Sequence, residues 1–139
     1  MPADLPAEER VRELTADPKL SAEEANRYGD LFVQAGKYPV AMMFFERSKD
    51  RERLGRVKKD AIRMGDAFLL HAITRLVPDL VEPDEWKQAG QAAHQEGKLL
   101  FARDCYSKAG DDAKAAAVHD EYLKIFPAAP VPPPTAPKA

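Results

Sequence analysis

The sequence of 139 residues has a single cysteine and no long apolar segment. Cys105 has no second cysteine to pair with, so an intramolecular disulfide is excluded and a reducing compartment is favoured. The longest apolar run, residues 40–45, is far too short to cross a bilayer. The first ten residues also lack the basic start and apolar segment of a signal peptide. We therefore expect a cytoplasmic protein without a membrane partner.

An excess of either charge is also lacking. The 21 basic and 23 acidic side chains leave a formal net charge of -2. Such a balance implies no general attraction to nucleic acid or to acidic lipid. The composition, with 45% hydrophobic and 32% charged residues, is that of an ordinary globular domain, and the length fits one domain with its own core.

Familiar catalytic and metal-binding patterns are missing as well. His71, His94 and His119 lie in three distant segments, and no two have the i, i+4 spacing of metal ligands on one helix. No phosphate-binding glycine loop and no nucleophile elbow occurs. We therefore expect no enzyme activity, no metal and no cofactor.

What the sequence does contain is a series of helix starts and stops. Ser21 and Glu24 have the spacing of a capping box, and Gly36 is placed to end the helix that follows. Asp66 is placed as the N-cap of a later helix. No segment alternates with the period of two that is typical of a strand. The predicted helices span about residues 8–14, 22–34, 37–50, 51–64, 67–77, 83–96, 98–109 and 112–126.

These elements predict three regions. Residues 1–20 form a short helix and a linker, and residues 22–126 form the helical domain. Residues 127–139 contain only Pro, Ala, Val, Thr and Lys, so we expect an extended, disordered tail without large apolar side chains to bury. The tail is either a spacer or a ligand for a proline-reading groove, and the sequence leaves both open.

Two stretches of the helical domain share one spacing of small and large apolar residues. Because this spacing recurs across two helices each time, the chain repeats a helix–turn–helix unit, which is typical of a solenoid. The matched positions are Ala25, Tyr28, Gly29, Phe32, Gly36, Tyr38, Ala41 and Phe45 in the first copy, and Trp86, Ala89, Gly90, Ala93, Gly97, Leu99, Ala102 and Tyr106 in the second.

A less regular unit lies between these two copies. It begins at Arg51, and Lys58 and Leu70 stand where the other units have small residues. Large side chains at those positions keep two helices apart, so we expect this pair to be splayed or shifted in register. The units begin at residues 22, 51, 83 and 112, and the last has only its first helix.

This spacing resembles the tetratricopeptide repeat family over residues 22–126. The resemblance implies an all-α solenoid of about three antiparallel helix hairpins with a C-terminal capping helix. Small residues, with Gly29 against Ala41 and Gly90 against Ala102, would let paired helices approach closely. The function that the resemblance implies is that of a protein-interaction module or adaptor.

In that family the first helix of each hairpin lines a concave groove that holds a partner peptide. Asp30 stands where chaperone-binding members need an asparagine, so we reject that kind of carboxylate clamp. The groove face of the first hairpin also includes Val33 and Gln34. Carried over by position, the candidate partner-binding residues are Asn26, Arg27, Asp30, Arg56, Lys59, Arg63, Lys87, Gln91 and His94.

Arg56, Lys59 and Arg63 are three and four residues apart, so they lie on one face of a helix. With Arg27 and Lys87 they would present a positive patch to an acidic peptide. The alternative is a solvated face whose charges are satisfied by local ion pairs.

Other functions stay open. A scaffold that self-associates through Val118, Tyr122 and Ile125 of the last helix is the first alternative, so we expect a monomer or a weak homo-oligomer. A nucleic-acid binder or an enzyme subunit is the second alternative. We expect no binding to nucleic acid, because no aromatic residues alternate with the basic side chains.

Overall fold

The computed structural model describes residues 5–127. Over this range the chain forms eight helices and no strand, so the prediction of an all-α protein is confirmed. Most of the tail lies outside the described residues. The helices are α1 (Glu8–Ala16), α2 (Ala22–Gln34), α3 (Tyr38–Ser48), α4 (Arg51–Met64), α5 (Ala67–Leu76), α6 (Pro83–Gln95), α7 (Leu99–Lys108) and α8 (Asp112–Ile125).

Short polar side chains begin four of these helices. The Ser21 hydroxyl accepts a hydrogen bond from the backbone N–H of Glu24 at 3.1 Å, and Asp66 accepts one from Leu69 at 3.0 Å, as predicted. Asp50 and Asp111 cap α4 and α8 in the same way. Each such cap stabilises its helix by about 1 kcal/mol. These four residues explain where α2, α4, α5 and α8 begin.

Two glycines allow close helix packing. A Cβ added at Gly29 would lie 2.3 Å from the ring of Phe45, and one added at Gly90 would lie 3.0 Å from the ring of Tyr106. The sequence predicted a close approach at both glycines, but opposite Ala41 and Ala102. The nearest side chains are instead the aromatic rings one turn further along α3 and α7.

The middle pair of helices packs differently from its neighbours. α2 packs most extensively on α3, and α6 on α7, whereas α4 contacts α6 more than it contacts α5. Lys58 stands on α4 where the other hairpins have a small residue. Its ammonium donates a hydrogen bond to the carbonyl of Leu80 at 3.0 Å and forms an ion pair with Glu85 at 2.8 Å. α4 and α5 contact each other less extensively than α2 and α3 or α6 and α7 do, while a splayed pair or a shift in register stays a prediction.

The core consists of two clusters of buried side chains. The larger one runs from α1 to α7 and includes Phe44, Leu54 and Leu70, each fully buried. The smaller one joins α6, α7 and α8 around Tyr106 and Val118. No helix in residues 5–127 is long and apolar enough to cross a membrane.

Candidate functional site

A cleft of about 230 Å³ lies between α2 and α4, on the helices predicted to bind a partner. Its apolar lining comes from α2, α3 and α4, and its charged lining comes from α2 and α4. Four of the residues that the sequence assigned to the groove face line it. The lining residues are Asp30, Val33, Gln34, Phe45, Arg53, Arg56 and Val57.

One wall of this cleft is held by a charged network between α2 and α4. The guanidinium of Arg53 donates two hydrogen bonds to the carboxylate of Asp30, at 2.9 and 3.0 Å, and a third to Asp50 at 3.2 Å. The side-chain amide of Asn26 donates to Asp50 at 3.1 Å. Asn26 and Asp30 were predicted to contact a partner, and here they hold two helices together.

The network changes the ionisation of its members. The backbone N–H of Arg53 holds the pKa of Asp50 below its ordinary value, against the opposing effect of burial, and the charge of Arg53 adds to the lowering. The hydrogen bond to Asp30 raises the pKa of Arg53. Both side chains therefore stay charged at neutral pH. Asp50 and Arg53 were not among the predicted site residues, although their i, i+3 spacing at a helix start was visible in the sequence.

The basic band of α4 is largely paired within the protein. α4 carries six basic side chains and two acidic ones. Inside the described range, five of the six basic side chains form ion pairs, and Lys59 forms none. The pairs are Arg51–Asp79, Arg53–Asp30, Arg56–Glu52, Lys58–Glu85 and Arg63–Asp60.

Four of these five pairs fall into two kinds, and the fifth, Arg51–Asp79, is exposed but joins α4 to the segment after α5. Arg53 and Lys58 are 29% and 15% exposed and reach across to other elements, so they are part of the packing. Arg56 and Arg63 are 65% and 71% exposed and pair with carboxylates on their own helix. An exposed pair of that kind contributes at most about 1 kcal/mol. Arg56 and Arg63 can therefore exchange their partners for a ligand carboxylate at little cost.

The partner of Arg63 is itself held in place. Asp60 accepts a hydrogen bond from the hydroxyl of Tyr38 at 2.9 Å. Burial raises the pKa of Tyr38, and the hydrogen bond to Asp60 raises it further. If Arg63 turns to a ligand, the carboxylate of Asp60 keeps one donor from α3.

The predicted residues of α6 lie outside the cleft. Lys87 pairs with Asp111 at 3.8 Å, and His94 contacts Glu121 at 2.8 Å. Both contacts tie α6 to α8 or its N-cap. Gln91 is exposed. On α2, Arg27 is exposed and lies over the ring of Tyr28 at 5.4 Å. The structure thus brings Asp30 and Arg56 into one cleft, while Arg27, Lys87, Gln91 and His94 lie elsewhere.

A second type of surface was predicted only at Ile125. All six exposed large apolar side chains in residues 5–127 belong to α3, α5, α7 or the end of α8. An apolar groove of about 530 Å³ lies between α3 and α5, and one of about 510 Å³ lies between α7 and α8. Isolated apolar residues on amphipathic helices do not indicate which side is covered, so the other five side chains and both grooves were not predicted. The six are Met43, Phe68, Leu100, Phe101, Ile125 and Phe126.

The last helix is less available than the sequence suggested. Val118 is only 3% exposed and packs in the cluster around Tyr106. Tyr122 is half-buried, and Ile125 is 59% exposed. Val118 was named as a self-association residue, and that part of the prediction is wrong because α7 covers it. The free apolar surface of α8 is confined to its C-terminal end.

The remaining reactive groups offer little chemistry. Burial raises the pKa of the Cys105 thiol to about 12, so it stays protonated and unreactive at neutral pH. In the part of the chain that the structure describes, no three His, Cys, Asp or Glu side chains lie close enough together to hold a metal ion. No family model, curated protein or solved structure matches this chain.

Proposed function

We propose that this chain is a protein-interaction module or adaptor of the cytoplasm, built like a tetratricopeptide repeat. In this proposal α2–α3, α4–α5 and α6–α7 are three hairpins, and α8 caps the last one. The tight turns at Gly36 and Gly97, both with positive φ, support the pairing of the helices that flank them. The contacts of α3 with α5, of α4 with α6 and of α5 with α7 support the stacking of successive hairpins.

The cleft between α2 and α4 is the observation that carries the function. Its apolar floor, formed by Val33, Phe45 and Val57, accommodates an apolar side chain of an extended peptide. Arg56 at its rim meets an acidic neighbour of that side chain. Because the ion pair of Arg53 with Asp30 and the hydrogen bond of Asn26 to Asp50 already fix α2 against α4, binding does not have to order the receptor, which lowers its entropic cost.

The partner is therefore an extended peptide that combines apolar and acidic residues. Arg56 and Arg63 would release Glu52 and Asp60 to bind the peptide carboxylates, and Lys59 is free of ion pairs within residues 5–127. Interactions between exposed charges weaken with added salt. Peptide binding at this cleft should therefore weaken as salt is added.

Selection from a phage-displayed library of random peptides tests the proposal. We expect the full chain to enrich acidic, apolar peptides. A variant with Arg56→Glu, Lys59→Glu and Arg63→Glu should bind the selected peptides at least about tenfold more weakly, since opposed charges now meet. The matched control carries Lys19→Glu, Lys37→Glu and Lys124→Glu, which changes the net charge equally at exposed positions outside the cleft.

Circular dichroism establishes that both variants are folded. Equal loss of binding in the two variants would trace the effect to net charge and contradict the proposed site. Peptides selected without acidic residues would contradict the proposed partner.

Self-association is the second candidate, because one observation favours it. Leu100, Phe101, Ile125 and Phe126 are 38–59% exposed and line one groove at the end of the chain's last two helices. Sedimentation equilibrium should then detect a dimer that Ile125→Ser with Phe126→Ser dissociates. A monomer at the highest soluble concentration would contradict this candidate.

A further inference from the structure

An apolar groove of the described structure lies away from the proposed peptide cleft. It runs between α3 and α5, holds about 530 Å³, and has an apolar wall on each side. Tyr38, Pro39 and Met43 line it from α3, and Phe68 lines it from α5. Phe68 is 68% exposed, the largest exposed fraction among the large apolar side chains in residues 5–127. A surface of this kind marks a binding site rather than an ordinary exterior.

We propose that the proline-rich tail of the same chain, residues 128–139, binds in this groove. The tail has the sequence AAPVPPPTAPKA, whose prolines favour an extended polyproline II conformation. Segments of that kind dock in grooves lined by aromatic side chains, because their preformed shape loses little entropy on binding. Tyr38 and Phe68 supply the aromatic walls here.

The position of the last described residues makes this contact possible. Phe126 lies in a groove with Gly97 and Phe101, so the end of α8 is beside the start of α7. The ammonium of Lys98 donates to the carbonyl of Met64 at 2.9 Å, which brings the start of α7 beside the turn that precedes α5. The end of α8 and the starts of α7 and α5 therefore share one edge of the molecule.

The tail is long enough to follow this edge. α8 packs on α7, and α7 packs on α5. Packed helices are about 8–10 Å apart, so α5 is roughly 20 Å from α8. Twelve residues at about 3.1 Å each extend to roughly 37 Å. A tail of this length is therefore long enough to reach Phe68 and the groove beyond it.

The charges of the groove and the tail are also complementary. Two carboxylates, Glu46 and Asp66, and one cation, Arg75, line the groove. The only charged side chain of residues 128–139 is the positive Lys138. The tethered tail has an effective concentration near the millimolar range, so even a weak contact with a millimolar dissociation constant is about half formed. The bound tail would cover the apolar groove and leave the cleft between α2 and α4 open.

A spin label on the tail tests the proposal with the full chain. The buried thiol of Cys105 does not react, so a nitroxide can be attached selectively to Ala136→Cys. In ¹H–¹⁵N spectra we expect the amide signals of Met43 and Phe68 to lose most of their intensity relative to the reduced label, because a fast-exchanging contact that is about half formed broadens the signal of every molecule. Broadening confined to α8 and the start of α7 would overturn the proposal.

Two comparisons identify the occupant. Adding Phe68→Ser to the labelled chain should restore the signal of Met43, while the control Gln95→Ser, at an exposed position of α6, should leave the broadening unchanged. Spin-labelled, ¹⁴N protein mixed with unlabelled ¹⁵N protein should leave Met43 and Phe68 sharp. Broadening in the mixture would place the tail of a second copy in the groove and overturn the intramolecular contact.

Discussion

The two sets of helices in this protein present different surfaces. In residues 5–127, α2, α4 and α6 expose no large apolar side chain, and several of their charged groups are paired across helices. α3, α5, α7 and the end of α8 carry all six exposed large apolar side chains of that range. The first set holds a charged cleft between α2 and α4, and the second holds two apolar grooves.

The two surfaces would support two different modes of recognition. A charged cleft attracts charged groups over a distance that salt shortens, and the ion pair between Arg53 and Asp30 keeps this cleft in shape. Binding in an apolar groove is favourable only on contact, in proportion to the area that is covered. Under both proposals, an acidic peptide and the proline-rich tail would therefore occupy different surfaces and would not compete.

The largest predicted effect concerns the contact between α2 of the first set and α3 of the second. In Gly29→Ala the new methyl group would lie 2.3 Å from the ring of Phe45, which is 1% exposed and packed in the core. Overpacking of this kind costs about 1–3 kcal/mol. The free energy of unfolding in urea should fall by that amount.

Gly55→Ala is the matched control. Gly55 also lies within a helix, and no atom outside its own helix lies near the position of its added Cβ. Replacing a helical glycine by alanine there should stabilise the protein by about 0.5–1 kcal/mol. Equal effects at the two glycines would mean that α2 does not approach α3 as closely as described.

The helices themselves were predictable because their signals are local. Ser21 and Asp66 cap the helices as expected, and Gly36 adopts positive φ. Each of these depends on a backbone position within a few residues. The partner of Gly29 was predicted less well: the pattern indicated a close approach, but which side chain of α3 fills it depends on the rotation of one helix against another.

The candidate site was predictable only in part, for the same reason. The resemblance to tetratricopeptide repeats implied that Asp30 and Arg56 belong to one groove face, and they line one cleft. Spacing could not show that Arg53 would bind Asp30 across helices, since pairs separated by 23 residues depend on packing. Nor could it show that Val118 would be covered by α7.

Arg53 and Arg56 represent two kinds of cation, one fixed by packing and one able to exchange its partner. Arg53→Ala leaves Asp30 and Asp50 half-buried without their charged donor, which we expect to cost about 1–2 kcal/mol of unfolding free energy. Arg56→Ala removes only an exposed pair on its own helix, and we expect a change within about 0.5 kcal/mol. Both values come from urea denaturation at neutral pH.

Peptide binding should follow the opposite order. Arg56→Ala should weaken binding of the selected peptides more than it affects stability, since Arg56 lines the open cleft. If Arg56→Ala destabilises the fold as much as Arg53→Ala, the two cations are equivalent, and the division between packing and recognition fails.

The smallest effect isolates the charge of Asp50 within the network. Its pKa is lowered in the folded protein, so the stabilisation it provides is complete above its ordinary pKa and is lost as pH falls through the lowered value. Asp50→Asn keeps an N-cap side chain but removes the charge. The stability difference between wild type and variant should therefore be constant above about pH 5 and shrink in more acidic solution. Urea denaturation across that range measures it, and a difference that does not vary with pH would mean that Asp50 acts as a helix cap alone, without an electrostatic share in holding α2 to α4.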